Sequence, residues 1–336
     1  MTSVKKTTYF NAFAAAVWLS SVSLFAASSP MPDMSNNSQR PKPDVKHTFL
    51  KAGWNSKGVA LVDPDMKIVW EYPSADEMTD AWYLKDGGAV FSFSDRKEGI
   101  AGIKRLDAAG KLMWEYKVDD GRDNHSAQPL PGGEFLAAET DSKAAYIVIV
   151  NDKGEKEKET PLQLNDALAE KAKDKLHFFR MVRMTPEGTY LAACMSSNKA
   201  VEWDKNGSIL QEFPDCNFAA IRLANGNTLV SGRKGVLEYD KDKKVVWSME
   251  AADFEKLNLH ISMICGIQRL ANGNTVISNV WHGKITDAGD YYKLIEVTPD
   301  KELVWWVEDP KFKTTHLGSV QIADGQSDAA KFGVWK

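Results

Sequence analysis

The sequence predicts an all-β fold, a six-bladed β-propeller, on three observations. Two short signatures alternate along the chain, their spacing fits one four-stranded blade, and the two ends of the repeat region read as complementary pieces of a single blade. Seven blades is the alternative if one unit is degenerate.

The first signature is a strand, an Asp or similar residue, a short turn and a second strand, often with Trp. It reads Asp63-Pro-Asp-Met-Lys67-Ile-Val-Trp70 and Asp107-Ala-Ala-Gly110-Lys111-Leu-Met-Trp114, and returns as Asp240-Lys-Asp-Lys-Lys244-Val-Val-Trp247 and Thr298-Pro-Asp-Lys-Glu302-Leu-Val-Trp305. Copies without Trp begin at Asn151 and Asp204. The second signature is a turn glycine followed by a β-rich run: Gly88-Ala-Val-Phe-Ser, Gly133-Glu-Phe-Leu-Ala, Gly188-Thr-Tyr-Leu-Ala, Gly226-Asn-Thr-Leu-Val-Ser and Gly273-Asn-Thr-Val-Ile-Ser. The Asn-Gly pairs at 225–226 and 272–273 supply the positive φ that a tight hairpin needs.

First strands are expected near residues 80, 125, 179, 217, 264 and 316. The stretch from Thr48 to Val62 resembles the second and third strands of a blade, and His316 to Ala323 resembles a first strand. The C-terminal strand is therefore expected to complete the N-terminal blade and remove the open edges of the ring. Two longer spacings have local explanations. Asn165 to Leu176 has a helical apolar period with Asn165 or Asp166 as N-cap, and Ala251 to Leu259 reads as a further helical turn. Asn279 to Lys293 reads as an extended loop. Insertions in repeat proteins usually gather on one face.

Ahead of the repeats, residues 1–27 carry Lys5 and Lys6, a short apolar stretch and small residues at Ala26 and Ala27, the pattern of a secretory signal. A periplasmic or extracellular location is the expectation, with an uncleaved N-terminal anchor as the alternative and no transmembrane segment after cleavage. Residues 28–46 are polar and Pro-rich, an expected disordered linker, leaving 47–336 for the propeller. Lys and Arg (42) nearly balance Asp and Glu (46), interspersed along the chain, which argues against nucleic acid as a partner. The three cysteines, Cys194, Cys216 and Cys265, match no metal pattern and are expected as buried thiols, one bridge being the alternative. No metal site or cofactor is expected.

In a propeller the first strands line the channel, so polar residues near their starts converge on one mouth. Asp80, Trp82, His125, His177, Arg180, Asn217, His260 and His316 fall there, with Trp281 in an inserted loop. Histidine could serve as acid, base or nucleophile, and Arg180 could hold an anion by a bidentate contact. The competing reading is that these side chains hydrate the channel or bond to blade backbone. Trp70, Trp114, Trp247 and Trp305 recur at one blade position and are expected to pack between blades, whereas Trp82 and Trp281 are off that register and are the candidates for a ligand.

The turn Asp107-x-x-Gly110-Lys111-x-x-Trp114 resembles the tryptophan-docking turn of PQQ-like propellers, and Gly226-Asn-Thr-Leu-Val-Ser231 is similar to strands of that superfamily and of arylsulfotransferase-like propellers. The similarity covers the chain from about residue 47. Quinoprotein dehydrogenases, as that resemblance implies, have eight blades, an adjacent Cys-Cys pair and a metal beside the cofactor; this chain has no adjacent cysteines and is too short, which disfavours PQQ. Arylsulfotransferase-like enzymes use histidines and an arginine in the channel, and the matching candidates are His125, Arg180 and His316. The reading taken forward is a scaffold that binds a small molecule, glycan or extracytoplasmic protein at its channel mouth. A transferase- or lyase-type enzyme using those residues is the alternative.

Overall fold

The computed structural model describes residues 40–54, 56, 58–74, 76–233, 235–280, 289–308 and 317–324. Residues 1–27, most of the linker, Trp281, His282 and His316 lie outside them. Residues 40–46 carry no regular secondary structure. Among the described residues no helix is long and apolar enough to cross a membrane.

The first blade holds β1 (Phe49–Ala52), β2 (Gly58–Val62) and β3 (Ile68–Pro73); the second holds β4 (Ala81–Tyr83), β5 (Ala89–Asp95), β6 (Ile100–Leu106) and β7 (Leu112–Lys117). In the third, the inner strand is split into β8 (Asp123–Asn124) and β9 (Gln128–Pro129), followed by β10 (Phe135–Thr140), β11 (Ala145–Val150) and β12 (Lys156–Pro161). The fourth holds β13 (Phe179–Met184), β14 (Tyr190–Cys194), β15 (Lys199–Trp203) and β16 (Ile209–Pro214), and the fifth β17 (Ala219–Arg222), β18 (Thr228–Ser231), β19 (Gly235–Tyr239) and β20 (Val245–Glu250). The sixth holds β21 (Met263–Arg269), β22 (Thr275–Val280), β23 (Leu294–Val297) and β24 (Leu303–Val307), after which β25 (Ser319–Ile322) joins the first sheet beside β1. Each sheet is antiparallel, giving six blades.

The two signatures are hairpin chemistry. In the first, one side-chain oxygen of Asp63, Asp107, Asn151, Asp204 or Asp240 accepts the N–H groups two and four residues on, at 2.8–3.0 Å, so a short polar side chain closes the turn between third and fourth strands. The following Trp reaches the next blade. Trp114 packs on Phe135 with centroids 5.1 Å apart, Trp247 Nε1 donates to the Pro299 carbonyl at 2.8 Å, and Trp305 meets Phe49 at 5.8 Å. In the second signature Gly226 and Gly273 sit at φ 86° and 88°, conformations a side chain resists. The serine that ends some copies ties neighbouring inner strands together. Ser231 Oγ accepts from Ala219 N–H (3.0 Å) and donates to the Cys265 carbonyl (2.7 Å), and Ser278 donates to the Leu317 carbonyl.

The expected closure is present: Phe49, Leu50, Lys51 and Ala52 pair with Ile322, Gln321, Val320 and Ser319. A buried ion cluster holds the same seam. His47 Nδ1 lies 2.6 Å from Asp324, just past β25, and Nε2 lies 2.7 Å from Glu296 on β23, with the ring edge-on to Trp305. Burial alone would push the imidazole pKa down; its hydrogen bonds to Asp324 and Glu296 and their charges outweigh that and raise it to about 9. A raised histidine pKa contributes stability that is complete below the unfolded value of 6.5 and lost as pH rises to about 9. The contribution is roughly 3 kcal/mol. In urea melts at pH 6.5 and 9, the protein should lose that amount while His47→Gln loses little; parallel losses would disprove the latch.

Helix α1 (Asp166–Ala172) has Asn165 as its cap, the side chain accepting from Leu168 N–H at 3.0 Å, and buries Leu168 and Ala172. The sequence pattern predicts one helix to Leu176, but it breaks at Asp174, whose backbone leaves the helical region (φ −90°, ψ 74°), and Leu176 lies on α2 (Lys175–Phe178). Helix α3 (Ala251–Lys256) follows β20. All three precede an inner strand, so they decorate the face from which the inner strands start. Cys194, Cys216 and Cys265 are buried thiols without a bridge.

Candidate functional site

Pairing fixes which residues share a level of the channel. Gln321, Trp82, Gln128, Arg183, Ile221 and Gln268 stand opposite Leu50, Val90, Leu136, Leu191, Leu229 and Val276, one residue per blade at one register. Three of these six are glutamines that clamp the next inner strand. Gln128 Oε1 accepts from Met184 N–H (2.7 Å), Gln321 Oε1 from Tyr83 N–H (2.5 Å) and Gln268 Oε1 from Ile322 N–H (2.8 Å). Serine and glutamine side chains thus tie several neighbouring inner strands, and between the fourth and fifth blades Met181 N–H bonds the Phe218 carbonyl directly at 3.0 Å.

Two residues earlier on each strand stand Ser319, Asp80, Ser126, Met181, Ala219 and Gly266, all buried. Asp80 binds Arg183 through both oxygens, at 2.7 and 2.9 Å, and also accepts from Ala127 N–H (3.0 Å) and Ser126 Oγ (3.3 Å). Arg183 stacks over Trp82, 4.9 Å from the ring centroid. Ser126 Oγ accepts from Val182 N–H and shares its one hydrogen between Asp80 and the Val182 carbonyl, and Gly266 N–H donates to the Gly318 carbonyl. This buried level forms the floor beneath the ring.

Beyond the floor, at the mouth carrying the second-signature hairpins, lies a cavity of about 230 Å³. Its wall is Trp82, Gln128, Arg183, Ile221 and Gln268 from the ring, with Leu130, Met184, Leu223, Ile267, Arg222 and Arg269 around them. Arg222 pairs with Glu202, and Arg269 with Glu238 at 2.8 Å, so the arginines are neutralised from behind by carboxylates on third strands.

The residues read from the sequence divide between the two sides. Trp82 lines the cavity and Asp80 lies directly beneath it. His125 is on the other side of the floor, buried, with Nδ1 3.4 Å from Thr79 Oγ1 and Nε2 3.4 Å from an Asp123 oxygen. Arg180 is also on that side, fully buried, donating to the Leu176 and Phe179 carbonyls (2.8 and 2.9 Å) and facing Trp54 at 5.9 Å. Burial pushes its pKa down to about 10. His177 sits on α2 against Asp174 (2.9 Å), half-exposed. Asn217 is buried ahead of β17, and His260 packs near Tyr291 with centroids 5.8 Å apart. The structure therefore brings Asp80, Trp82 and Arg183 together and leaves His177 and His260 apart from them. Sequence reasoning missed Gln128, Arg183, Ile221 and Gln268, although each stands five positions before a hairpin glycine: Gly133, Gly188, Gly226 and Gly273.

One carboxylate cluster, Asp119, Glu139 and Glu159, gathers within 4.8 Å. Arg122 already fills it, 3.4, 2.9 and 2.8 Å from the three.

No protein-family model and no curated protein matches the chain. Among solved structures it is similar to a protein of unknown function from Bacteroides caccae, with a TM-score of 0.68 and 24% identity over 82% of this chain and 98% of that one. It also resembles a streptogramin B lyase (TM-score 0.52, 9% identity, 85% of this chain and 94% of that one). A catalytically inactive virginiamycin B lyase from Staphylococcus aureus with quinupristin gives a TM-score of 0.52 and 11% identity, over 82% of this chain and 89% of that one. At these identities the likeness is one of fold, the β-propeller.

Proposed function

We propose that this chain is an exported binding scaffold that takes a small molecule in the cavity at the hairpin mouth of its channel. The observation that carries the reading is a mostly apolar pocket over a buried floor that holds the Asp80 carboxylate, walled by inner strands hydrogen-bonded to their neighbours around the ring. Such a pocket is pre-formed, and rigidity lowers the entropic cost of binding. Its volume is below the roughly 300–1,000 Å³ of pockets that hold drug-sized molecules, which favours a compact guest over a glycan chain or a protein loop. The transferase- or lyase-type alternative draws on His125 and Arg180, and what favours it is that Arg180 is a buried cation with no carboxylate hydrogen-bonded to it among the described residues.

The test is a fragment library screened by amide and indole chemical shifts. Guests should perturb Trp82 and the Gln268 amide, and Ile221→Trp, which fills the pocket from its wall, should abolish those shifts while the protein stays folded. A library that moves only signals around His125 and Arg180, or none, would disprove the scaffold reading at this mouth.

A further inference from the structure

What the cavity withholds narrows the class of its guest, an inference that rests on the reading of the cavity as a binding site. Trp82, Leu130, Met184, Ile221, Leu223 and Ile267 give it apolar walls. The polar side-chain atoms among them are committed to the protein. Arg183 donates from both Nη atoms to Asp80, and Arg222 donates from Nη1 to the Gly226 carbonyl at 3.0 Å and from Nη2 to Glu202. Gln128 and Gln268 each accept a backbone N–H at Oε1, Gln128 Nε2 reaches the Met184 carbonyl at 3.5 Å, and Thr185 Oγ1 lies 2.6 Å from Thr189 Oγ1. Nε of the three arginines, Nε2 of Gln268 and Nε1 of Trp82 are buried in the surrounding protein, out of a guest's reach. Among the described wall residues only Nη1 of Arg269 falls outside both groups, on a guanidinium that binds Glu238 through Nη2 at 2.8 Å and faces the Trp247 ring at 5.2 Å.

Charge offers a guest no more. Arg183, Arg222 and Arg269 are matched one to one by Asp80, Glu202 and Glu238, so an ion entering the cavity would leave water without gaining a counter-ion of its own. Water is held poorly against such walls, because a buried water needs roughly two to four polar partners. An apolar group gains affinity by displacing poorly ordered water. A cavity of about 150 Å³ takes benzene, so one of about 230 Å³ has room for a guest roughly half as large again, about nine carbons. We infer that the cavity takes a compact, uncharged hydrocarbon group of about nine carbons, held by burial and close packing without a directed hydrogen bond.

Propylbenzene, 2-phenylethanol and 2-phenylethylammonium differ only in the last heavy atom of the side chain, and phenylacetate supplies an anion of similar size. Titrated by shifts at Trp82 and Gln268, propylbenzene is expected to bind about tenfold or more tightly than the alcohol, the cost of one unsatisfied hydroxyl, and the two ions more weakly still. Along the ladder toluene, propylbenzene, hexylbenzene, affinity should rise about fourfold per added carbon as far as propylbenzene and then level off, whereas unspecific adsorption to apolar surface would keep climbing. Arg269→Met removes Nη1 and should leave propylbenzene binding within about twofold of the parent, because no hydrogen bond is lost. If the alcohol or either ion matches propylbenzene, if the ladder climbs through hexylbenzene, or if Arg269→Met weakens propylbenzene about tenfold, the hydrocarbon inference is wrong and the cavity reading survives. If no probe shifts Trp82 or Gln268, or Ile221→Trp leaves the shifts in place, both fail together.

Discussion

Asp80→Ala is expected to lower stability by about 3–5 kcal/mol, the cost of breaking a buried ion pair from one side. Asp80 is fully buried and holds Arg183 by two hydrogen bonds, Ala127 N–H by a third and Ser126 Oγ by a fourth, so it joins the second, third and fourth blades at the channel axis. Removing it leaves a guanidinium in the floor with no counter-ion and a backbone N–H with no acceptor. The melting temperature should fall by roughly 6–15 °C. The double variant Asp80→Ala/Arg183→Met removes both charges and should recover most of the loss, because an apolar replacement of a buried pair is often close to neutral. Thermal and urea melts of the single, the reciprocal single and the double variant form the cycle. A single variant costing less than about 1 kcal/mol, the worth of a surface pair, would show that the floor does not depend on this contact.

Ending the chain after residue 316 is expected to prevent cooperative folding. The strand lost carries Val320 and Ile322, with Leu317 ahead of it, all buried, at about 1.5–3 kcal/mol for each side chain. It also carries the pairing to β1 and the bonds of Gln321 to Tyr83, Gly318 to Gly266 and Ile322 to Gln268. Together these approach the whole stability of an ordinary domain, about 5–15 kcal/mol. Position in sequence is not what matters. Ala323 N–H bonds the Thr48 carbonyl at 2.7 Å, so the end of β25 already adjoins the start of β1. A permuted chain carrying residues 317–324 ahead of residue 47 through a short Gly-Ser linker should therefore fold, as read by a single urea transition. A truncated chain that melts like the parent would disprove the closure as the determinant of the fold.

Much of this architecture is legible in local sequence because its parts are local. The Asp63-type turns and the Asn-Gly hairpins are set by side chains bonding amides two to four residues away, so they recur as strings. The Trp positions are legible because one side chain must fill the same gap on successive blades. The pocket is different. Asp80 and Arg183 are chemically unremarkable in sequence and become a floor only when the second and fourth blades face each other across the channel. His47, Glu296 and Asp324 meet only once the ring is closed. Register alternation places residues at levels of the channel, but it does not say at which mouth the side chains leave space. Reasoning from histidines led to the mouth decorated by α1, α2 and α3, whereas the described space opens among glutamines, an isoleucine and arginines beside the hairpins.

The seam between β25 and β1 also sets an order of events. As the chain is made, β1, β2 and β3 come first and lack their innermost neighbour until five further blades have been written. The first blade is thus the last to be finished, and its completion requires a contact between segments at nearly opposite ends of the folded region. Closing so long a loop is a slow step that local hairpin strength does little to hasten. During that interval the inner edge of β1 stays open, so the assembly clock of the molecule is kept by its most distant strand.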